Sequence, residues 1–509
     1  MKQLSGLDSA FLYLETDNAP MHIGGVSILD PRTPDGRFTL DTLRRVLAAR
    51  LHRSRTFTER LASVPLNLGK PYWIEDESFD LERHLERTQL PEPGGWRELS
   101  ALTAWELGQL LPRDRPLWKM LLVEGVDGIE GVPPGSVAII GRIHHAAIDG
   151  VSGSELLSAL FDLTPEPVAA RPGAPQPGAP QPGAPQPDDL AEAAAAPAES
   201  SGKSADKPSG AKLLGRSGKN LIGIPKAIPG TVGETVKALI RSGAVWGLKK
   251  VKPPPLPFTA PRTRLNVPLS GERVWSPALL SLDRIKAIRK AAGGTVNDVV
   301  LAICAGALRH YLEDKEDLPE KPLVAMVPVS VRAEDERGTM GNKVSAMLVS
   351  LATDEDDPAV RLRKIRDSTT DSKIHHQAIG ARTLSDVGEF IPFALAGVAT
   401  RLYTRMHLAD KLKPIFNLVI TNVPGPQVPL YVGGAKLLVH VGFAPIFDGV
   451  GLILPIFSYA GTLAIGATSD RCIMPDLDVF TRHLETSLDE LEQAVGRIDT
   501  AAGAGSPRR

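Results

Sequence analysis

The chain has 509 residues, of which 42% are hydrophobic and 23% charged, as is typical of a soluble globular protein long enough for two large cores. The formal net charge of −1 argues against nucleic acid as a partner of the whole molecule. The two cysteines, Cys304 and Cys472, have neither a metal-binding nor a disulfide spacing, and they fit a reducing compartment.

Neither a signal peptide nor a transmembrane helix is predicted. The first residues, MKQLSGLDSAFLYLE, lack a long apolar run. The best candidate for a membrane span, GVGLILPIFSYAGTLAIGA at 449–467, is interrupted by Pro455 and by polar side chains. We predict two buried strands around its YAG turn rather than a span.

Residues 1–163 are predicted to form a mixed α/β region. The apolar segment SVAIIGRI (136–143) predicts a strand that runs into the pair His144-His145. After Gly150, apolar residues at helical spacing predict a helix. The histidine pair would then lie on a strand-to-helix turn, where backbone amides and side chains can converge on a ligand.

Residues 164–210 differ in composition from the rest of the chain. PGAPQ occurs three times in succession at 172–186. Proline disrupts helices and sheet ladders, and the segment has few residues to bury. It is therefore predicted to be a disordered spacer.

Residues 211–259 are predicted to form a connector that is strongly basic over 211–252. That part holds nine Lys or Arg residues against the single acid Glu234, a local charge of +8. Apolar residues are interleaved with the basic ones. Two interpretations stay open: a solvated helical connector packed on the C-terminal half, or a surface that lies on anionic lipid.

Residues 260–500 are predicted to form a second α/β region. Two amphipathic helices are separated by a Gly-Gly-Thr turn, and the apolar runs at 322–331 and 416–426 predict strands. An acidic helix closes the fold. The tail 501–509, AAGAGSPRR, is expected to be disordered.

The segment GRIHHAAIDGVSG (141–153) contains the pattern HHxxxDG, formed by His144, His145, Asp149 and Gly150. A histidine general base needs a fixed tautomer, a shielded site and reach to a substrate proton, and a strand end supplies rigidity. Asp149 can set the local structure through a salt bridge or backbone amides, and Gly150 permits a tight turn. The pattern predicts a functional site rather than a packed core histidine.

Two other interpretations of the histidines are disfavoured. A metal site that used His145 and Asp149 would need both on one helix, and neither an HExxH pattern nor a cysteine ligand accompanies them. We therefore expect no metal. The second pair, His375-His376, has no Asp and Gly at the matching offsets, so it is predicted to be a surface or packing pair.

Four further elements occur in the chain: LSGLDSAFLYLETDNAPMHIGGVSIL (4–29), Pro116-Leu117-Trp118, Asn297-Asp298 in TVNDVVLA, and ITNVPGP (420–426). With HHxxxDG, they resemble the CoA-dependent acyltransferase superfamily that includes chloramphenicol acetyltransferases and the condensation domains of peptide synthetases. The resemblance is closest to the bacterial wax ester synthase/acyl-CoA:diacylglycerol acyltransferase family.

That resemblance implies an α/β (α+β) fold of two chloramphenicol-acetyltransferase-like halves, each a mixed sheet flanked by helices, with an active-site tunnel between them. It assigns the general base to His145, a supporting role to His144 and the structure of the turn to Asp149 and Gly150. Asn297 would approach the base from the other half, as an orienting residue or an oxyanion donor.

The remaining motif residues are given structural interpretations. Asp298 is expected to cap or pair locally, and Trp118 to be a structural wedge. Asn422 and Gly425 are expected to shape the end of a strand, with the alternative that they border the tunnel.

The activity implied by the resemblance is O-acyl transfer from acyl-CoA, as co-substrate, to diacylglycerol or a long-chain alcohol, with no bound cofactor. Direct transfer is expected, since the chain has no GxSxG pattern and neither cysteine lies in a nucleophile motif. Alternatives are condensation on a carrier-protein thioester and a non-catalytic lipid-surface protein of the same fold. The expected location is cytoplasmic, at the inner membrane face or on lipid droplets through 211–252.

Overall fold

The computed structural model describes residues 2–34, 36–64, 69–148, 160–166, 255–256, 258–330, 344–379, 406 and 411–504. Several sequence predictions therefore lie outside the described residues. They are the Asp149-Gly150 pair with the helix after it, most of the spacer 164–210, and the basic segment 211–252.

Both regions of the chain contain helices and strands. The described α-helices are α1 (Gly6–Leu14), α2 (Leu40–Ala48), α3 (Trp96–Leu107), α4 (Leu282–Ala292), α5 (Val296–Asp314), α6 (Pro358–Ile379) and α7 (Leu477–Ala504). The strands are β1 (Lys2–Gln3), β2 (His22–Leu29), β3 (Arg32–Thr33), β4 (Gly36–Arg37), β5 (Glu59–Ala62), β6 (Tyr72–Glu75), β7 (Leu85–Gln89), β8 (Trp118–Val126), β9 (Ser136–His144), β10 (Arg273–Ser281), β11 (Val324–Ser330), β12 (Val344–Ser350), β13 (Leu418–Pro424), β14 (Tyr431–Val432), β15 (Ala435–Phe443), β16 (Leu452–Tyr459) and β17 (Thr462–Asp470).

The first large sheet has the strand order β14-β15-β2-β9-β8-β7. Its pairs are antiparallel except for β7 with β8. The central strand β2 carries β9 on one side and β15 on the other. Because β14 and β15 come from the C-terminal region, that region contributes a hairpin to the N-terminal sheet.

The second large sheet has the order β10-β17-β16-β13-β11-β12. It too is mixed, since β13 runs parallel to both β11 and β16. Buried side chains of α4, α5 and α7 form one core with its strands. The predicted class, two mixed sheets flanked by helices, is confirmed.

The turn between α4 and α5 follows from its residues. Ser281 caps α4 by accepting from Arg284 N at 3.3 Å. Gly293 and Gly294 then adopt φ values of 75° and 92°, which glycine reaches without steric cost. Thr295 caps the next helix, accepting from Asp298 N at 3.2 Å. The two predicted helices and their Gly-Gly-Thr turn are therefore confirmed.

The apolar stretch 449–467 folds as predicted, into the antiparallel strands β16 and β17 with Tyr459 opposite Thr462. No single described helix is long and apolar enough to cross a membrane. By length and composition alone, α4 and α5 could do so together, but they are bent by 105° at their break and bury side chains in the second core. Helix α7 continues to Ala504, into the tail expected to be disordered from 501.

Candidate active site

The backbone of the histidine motif is held by three distant segments. Strand β9 ends at His144, and a 3-10 turn follows over His145–Ala147. The amide of His144 donates to Leu117 O at 2.9 Å, and the amide of His145 donates to Met21 O at 2.8 Å. The hydroxyl of Thr56 donates to Ala147 O at 3.0 Å. The PLW element and the opening segment thus fix the turn.

His145 is held by stacking. Its imidazole lies on the ring of Phe11 from α1, with centroids 3.6 Å apart and planes 14° apart. Burial lowers the pKa of His145 to about 4. Among described residues, the buried Nδ1 bonds to no other residue. The stacking contact with Phe11 therefore positions the ring, which is neutral at neutral pH.

His144 contacts a buried carboxylate. Its Nδ1 accepts from Ala146 N at 3.0 Å, so the ring proton is on Nε2, which lies 3.0 Å from Glu15 Oε2. Arg113 donates to the other carboxylate oxygen at 2.5 Å. Burial alone would raise the pKa of Glu15, but His144 and Arg113 lower it to about 2. Glu15 is therefore an ionised carboxylate inside the protein.

His22 lies opposite His144 in the pairing of β2 with β9. The two rings meet edge to face, with centroids 6.1 Å apart, and His22 Nε2 is 4.0 Å from Glu15 Oε2. Burial, assisted by the charge of Arg142, lowers the pKa of His22 to about 3. Neither ring nitrogen has a hydrogen-bond partner among the described residues. The arrangement is a buried cluster of two imidazoles, that of His22 neutral, beside one carboxylate.

The predicted site residue Asn297 is the second residue of α5, and it does not cap the helix. Thr295 is the cap, and Asp298 Oδ2 accepts from Thr295 N at 2.8 Å in return. The interpretation of Asp298 as a locally paired residue is thereby confirmed. Asn297 Oδ1 accepts from Asn422 Nδ2 at 3.4 Å. The structure thus joins the ND element to the NVPGP element.

An apolar cavity of about 180 Å³ lies between the two large sheets. On the first sheet its lining includes Ile143 and Ile148, which flank the turn that carries His145. On the second sheet the lining includes Thr421 and Val423, the neighbours of Asn422. The cavity therefore lies beside the turn of His145 and beside the strand of Asn422, but neither of these residues nor Asn297 lines it.

Comparison with known proteins decides the family. The model described as "Wax ester synthase/diacylglycerol acyltransferase catalytic domain" matches residues 4–300, and the model of the WS/DGAT C-terminal domain matches residues 340–492. The chain belongs to the wax ester synthase/diacylglycerol acyltransferase family. It is accordingly an acyltransferase.

Relatives and solved structures agree with that family. A Mycobacterium tuberculosis protein named probable diacylglycerol O-acyltransferase is 34% identical over 492 residues, covering 96% of this chain and 98% of the relative. The wax ester synthase/diacylglycerol acyltransferase of Marinobacter aquaeolei is similar in structure, with a TM-score of 0.64 and 29% identity over 97% of this chain and 100% of that one. A starter condensation domain of rhizomide synthetase, 13% identical with a TM-score of 0.51, covers 97% of this chain and 94% of its own and shares the fold.

Several further predictions for this acyltransferase can be compared with the structure. Trp118 is buried, donates from Nε1 to Phe57 O at 3.1 Å and stacks on His84, as a structural wedge would. Gly425 donates to Ser458 Oγ at 3.2 Å, at the end of β13. His375 and His376 lie in α6, but their side chains are outside the described part of the chain.

Glu15 and His22 were missed by sequence reasoning. Both lie in the opening segment 4–29, and the family resemblance assigns no role to either residue. The signal available in the sequence was a single Glu directly after the apolar helical segment GLDSAFLYL. Their approach to His144 depends on strand pairing, which the local sequence does not specify. Within the described residues, no group of three or more His, Cys, Asp or Glu side chains could hold a metal ion.

Proposed function

We propose that this acyltransferase moves a long-chain acyl group from CoA to the hydroxyl of diacylglycerol or of a long-chain alcohol, with His145 as general base. The observation that carries the proposal is the neutral, stacked imidazole of His145, on a turn whose flanking residues Ile143 and Ile148 line an apolar cavity. A base must be unprotonated and fixed in one tautomer before it can take a proton. The apolar lining suits an alkyl chain.

The proposed reaction is a direct transfer. Nε2 of His145 takes the proton of the acceptor hydroxyl while its oxygen attacks the thioester carbonyl. A tetrahedral oxyanion forms, the C–S bond breaks, and the imidazolium protonates the departing CoA thiolate. The products are the ester and free CoA, so no external oxidant or cofactor is needed.

Glu15 and His144 are proposed to position the base. The Glu15 carboxylate lies 3.0 Å from His144 Nε2, while His144 Nδ1 accepts from the turn at Ala146. A fixed negative charge close to the turn also stabilises the imidazolium that forms on His145 during transfer. Asp149 and Gly150, from the family resemblance, are proposed to complete this turn.

Asn297 is proposed to orient His145 or to donate to the oxyanion. Its Oδ1 is already used as acceptor for Asn422. The hydrogens on Nδ2 therefore remain as the donors that the amide can offer. Its place in the first turn of α5 adds the positive end of the helix dipole.

Membrane association is proposed for the basic segment 211–252 on its charge of +8 alone. A basic side chain close to an anionic surface contributes about 1 kcal/mol of binding free energy.

We also propose that the chain is organised as an N-terminal half (1–163), a spacer (164–210), a connector (211–259), a C-terminal half (260–500) and a tail (501–509).

The proposed function is tested with purified protein, palmitoyl-CoA, and either dioleoylglycerol or hexadecanol. Free CoA thiol and the ester product are both measured. His145→Ala should lower turnover by roughly 10²–10⁴, the range for loss of general-base catalysis. The control is His52→Ala, which removes an exposed histidine of the same half. Wild-type turnover in His145→Ala would rule out the mechanism. If an ester forms only from a carrier-protein thioester, the condensation activity is favoured. If no ester forms from any donor, the protein is non-catalytic.

A further inference from the structure

Three glycines lie side by side across the centre of the first sheet. Gly25 on β2 is opposite Gly141 on β9 and opposite Gly442 on β15. All three line the cavity between the sheets. A strand glycine has no side chain to fill the space above it, so this glycine row forms a shallow trough across three strands.

The space above the row differs from one glycine to the next. A Cβ on Gly25 would lie 2.7 Å from Cε1 of His440, so the imidazole occupies that space. A Cβ on Gly442 would be 3.6 Å from Pro455. Among the described residues, apart from its two chain neighbours, no atom lies within 4 Å of a Cβ added to Gly141. Gly141 is thus the position where the trough is open to a ligand.

One polar pair faces this apolar trough. His440 and Ser27 line the cavity and are opposite each other on β15 and β2, with Ser27 Oγ 2.9 Å from His440 Nδ1. The imidazole also meets the ring of Phe457 edge to face, with centroids 5.0 Å apart. Ser27 is only 6% exposed. The pair is therefore held in one geometry by the surrounding protein.

The pair retains one donor that its internal hydrogen bond does not use. If Ser27 donates to Nδ1, the imidazole keeps a free Nε2–H; if Nδ1–H donates to Ser27, the hydroxyl hydrogen is free. In the described part of the chain, neither side chain has another hydrogen-bond partner. Burial lowers the pKa of His440 to about 4, so the ring is neutral at physiological pH. The unused donor of this neutral pair can therefore form a hydrogen bond with an uncharged oxygen of a ligand.

The strand register sets how far the Ser27–His440 pair lies along the sheet from His22 and His144. Ser27 follows His22 by five positions on β2. At about 3.3 Å per residue, the pair lies roughly 17 Å along the strand from His22 and His144. An extended alkyl chain advances about 1.25 Å per carbon, because its C–C bonds are about 1.5 Å long. A chain whose first carbon lies level with His144, the neighbour of the proposed base His145, therefore reaches the pair after about a dozen carbons.

We propose that the cavity binds one unbranched alkyl chain over the glycine row, and that the Ser27–His440 pair selects this chain by its length and by an oxygen function at that depth. The inference rests on the proposed acyl transfer and adds its chain selectivity. A methyl end that displaces water from the pair leaves its donor unsatisfied. The cost corresponds to roughly a 10-fold loss of affinity. A hydroxyl at the chain end restores the hydrogen bond.

The test measures kcat/KM for two substrate series. One runs from octanoyl-CoA to stearoyl-CoA with hexadecanol as acceptor, and the other from octanol to octadecanol with palmitoyl-CoA as donor. The profile of each series is the dependence of kcat/KM on chain length. If the variants change the profile of the acyl-CoA series, the bound chain belongs to the acyl group; if they change that of the alcohol series, it belongs to the acceptor. Two compounds with a hydroxyl on the last carbon of the chain complete the series: 12-hydroxydodecanoyl-CoA as donor and dodecane-1,12-diol as acceptor.

Two variants test the two parts of the proposal. Gly141→Val fills the open space above the row, which lies about 10 Å or eight carbons from His144, and should lower kcat/KM for the longest chains by at least about 10-fold, with a smaller loss for octanoyl or octanol, whose ends only reach the row. The double variant Ser27→Ala/His440→Leu should improve the longest chains by roughly 10-fold and lose any preference for a terminal hydroxyl. His440→Gln, which keeps a donor, should retain the wild-type profile. The control for cavity volume is Ile139→Val, opposite Ser27 in the register.

The outcomes separate the possible errors. An unchanged profile in a folded Gly141→Val protein, judged by Tm, would show that no chain lies over the row. An unchanged profile in the double variant would remove the polar pair from the selection. An improvement in Ile139→Val equal to that in the double variant would assign the effect to volume alone. If the wild-type chain releases no CoA with any substrate, the proposed function itself fails.

Discussion

The imidazole of His144 connects the turn of the histidine motif to the carboxylate of Glu15. Its Nδ1 accepts from Ala146 N at 3.0 Å, and its Nε2 lies 3.0 Å from Glu15 Oε2. Glu15 thus reaches the neighbour of His145 although it is more than a hundred residues away in sequence. The first prediction concerns this carboxylate.

Glu15→Ala should lower kcat by about 10- to 100-fold, the usual effect of losing a group that orients a site residue, with KM little changed. Glu15→Gln keeps an acceptor oxygen and should fall between wild type and Glu15→Ala. Steady-state kinetics on the folded proteins measures both. The control is Glu124→Gln, which breaks the exposed pair of Glu124 with Arg87. Equal kcat in Glu15→Ala and wild type would remove Glu15 from the positioning role.

The pH dependence of activity follows from the lowered pKa of His145. The base form is lost as the pH falls through a pKa of about 4, rather than through the ordinary value of 6.5. We therefore expect kcat/KM for the free enzyme to stay level from neutral pH to about pH 5 and to fall below it. A stopped assay of ester product across this range checks the prediction. An acid limb centred near pH 6.5 would contradict it.

Stability should depend on pH through the buried neutral histidines. His22, His145 and His440 have pKa values lowered to about 3, 4 and 4, below the ordinary 6.5. Below pH 6.5 the unfolded chain binds protons that the folded chain does not, so the free energy of unfolding decreases as the pH falls towards 4. Thermal unfolding at several pH values measures this. His440→Leu should show a smaller decrease, and a decrease as large as that of wild type would exclude His440 as a contributor.

Asn297→Ala should lower the rate by roughly 10- to 10³-fold, as expected for removal of one oxyanion donor, while Tm changes little because Thr295 caps the helix. Asn297→Asp should also be inactive, since an ionised carboxylate cannot donate. Thr295→Ala is the matched variant, and it should lose stability of about 1 kcal/mol and keep its turnover per folded molecule. The opposite pattern would make Asn297 a structural residue.

Replacement of residues 170–205 by a shorter Gly/Ser linker should leave activity and Tm nearly unchanged. The reason is that loop-closure entropy depends only weakly on loop length. Turnover and thermal unfolding of the shortened protein measure the two quantities. A large loss of either would show that the PGAPQ segment has an ordered role.

The sequence by itself determined the local elements and predicted the chemistry of the motif. Strand β9, helices α4 and α5 with their glycine turn, and the β16–β17 hairpin all follow from apolar periodicity and turn residues, which act within a few neighbouring positions. The family resemblance pointed to His145 and Asn297. The fold class was likewise predictable, because it depends on the order of helices and strands.

Only the tertiary structure decided which of these elements meet. The pairing of β2 with β9 places His22 opposite His144, and the addition of β15 places His440 opposite Ser27. Neither pairing is visible in local periodicity, because an apolar strand carries no mark of its partner, and a slip of one residue would turn every side chain to the other face. The glycine row exists for the same reason: three isolated glycines become one trough only when the register of three distant strands brings them side by side.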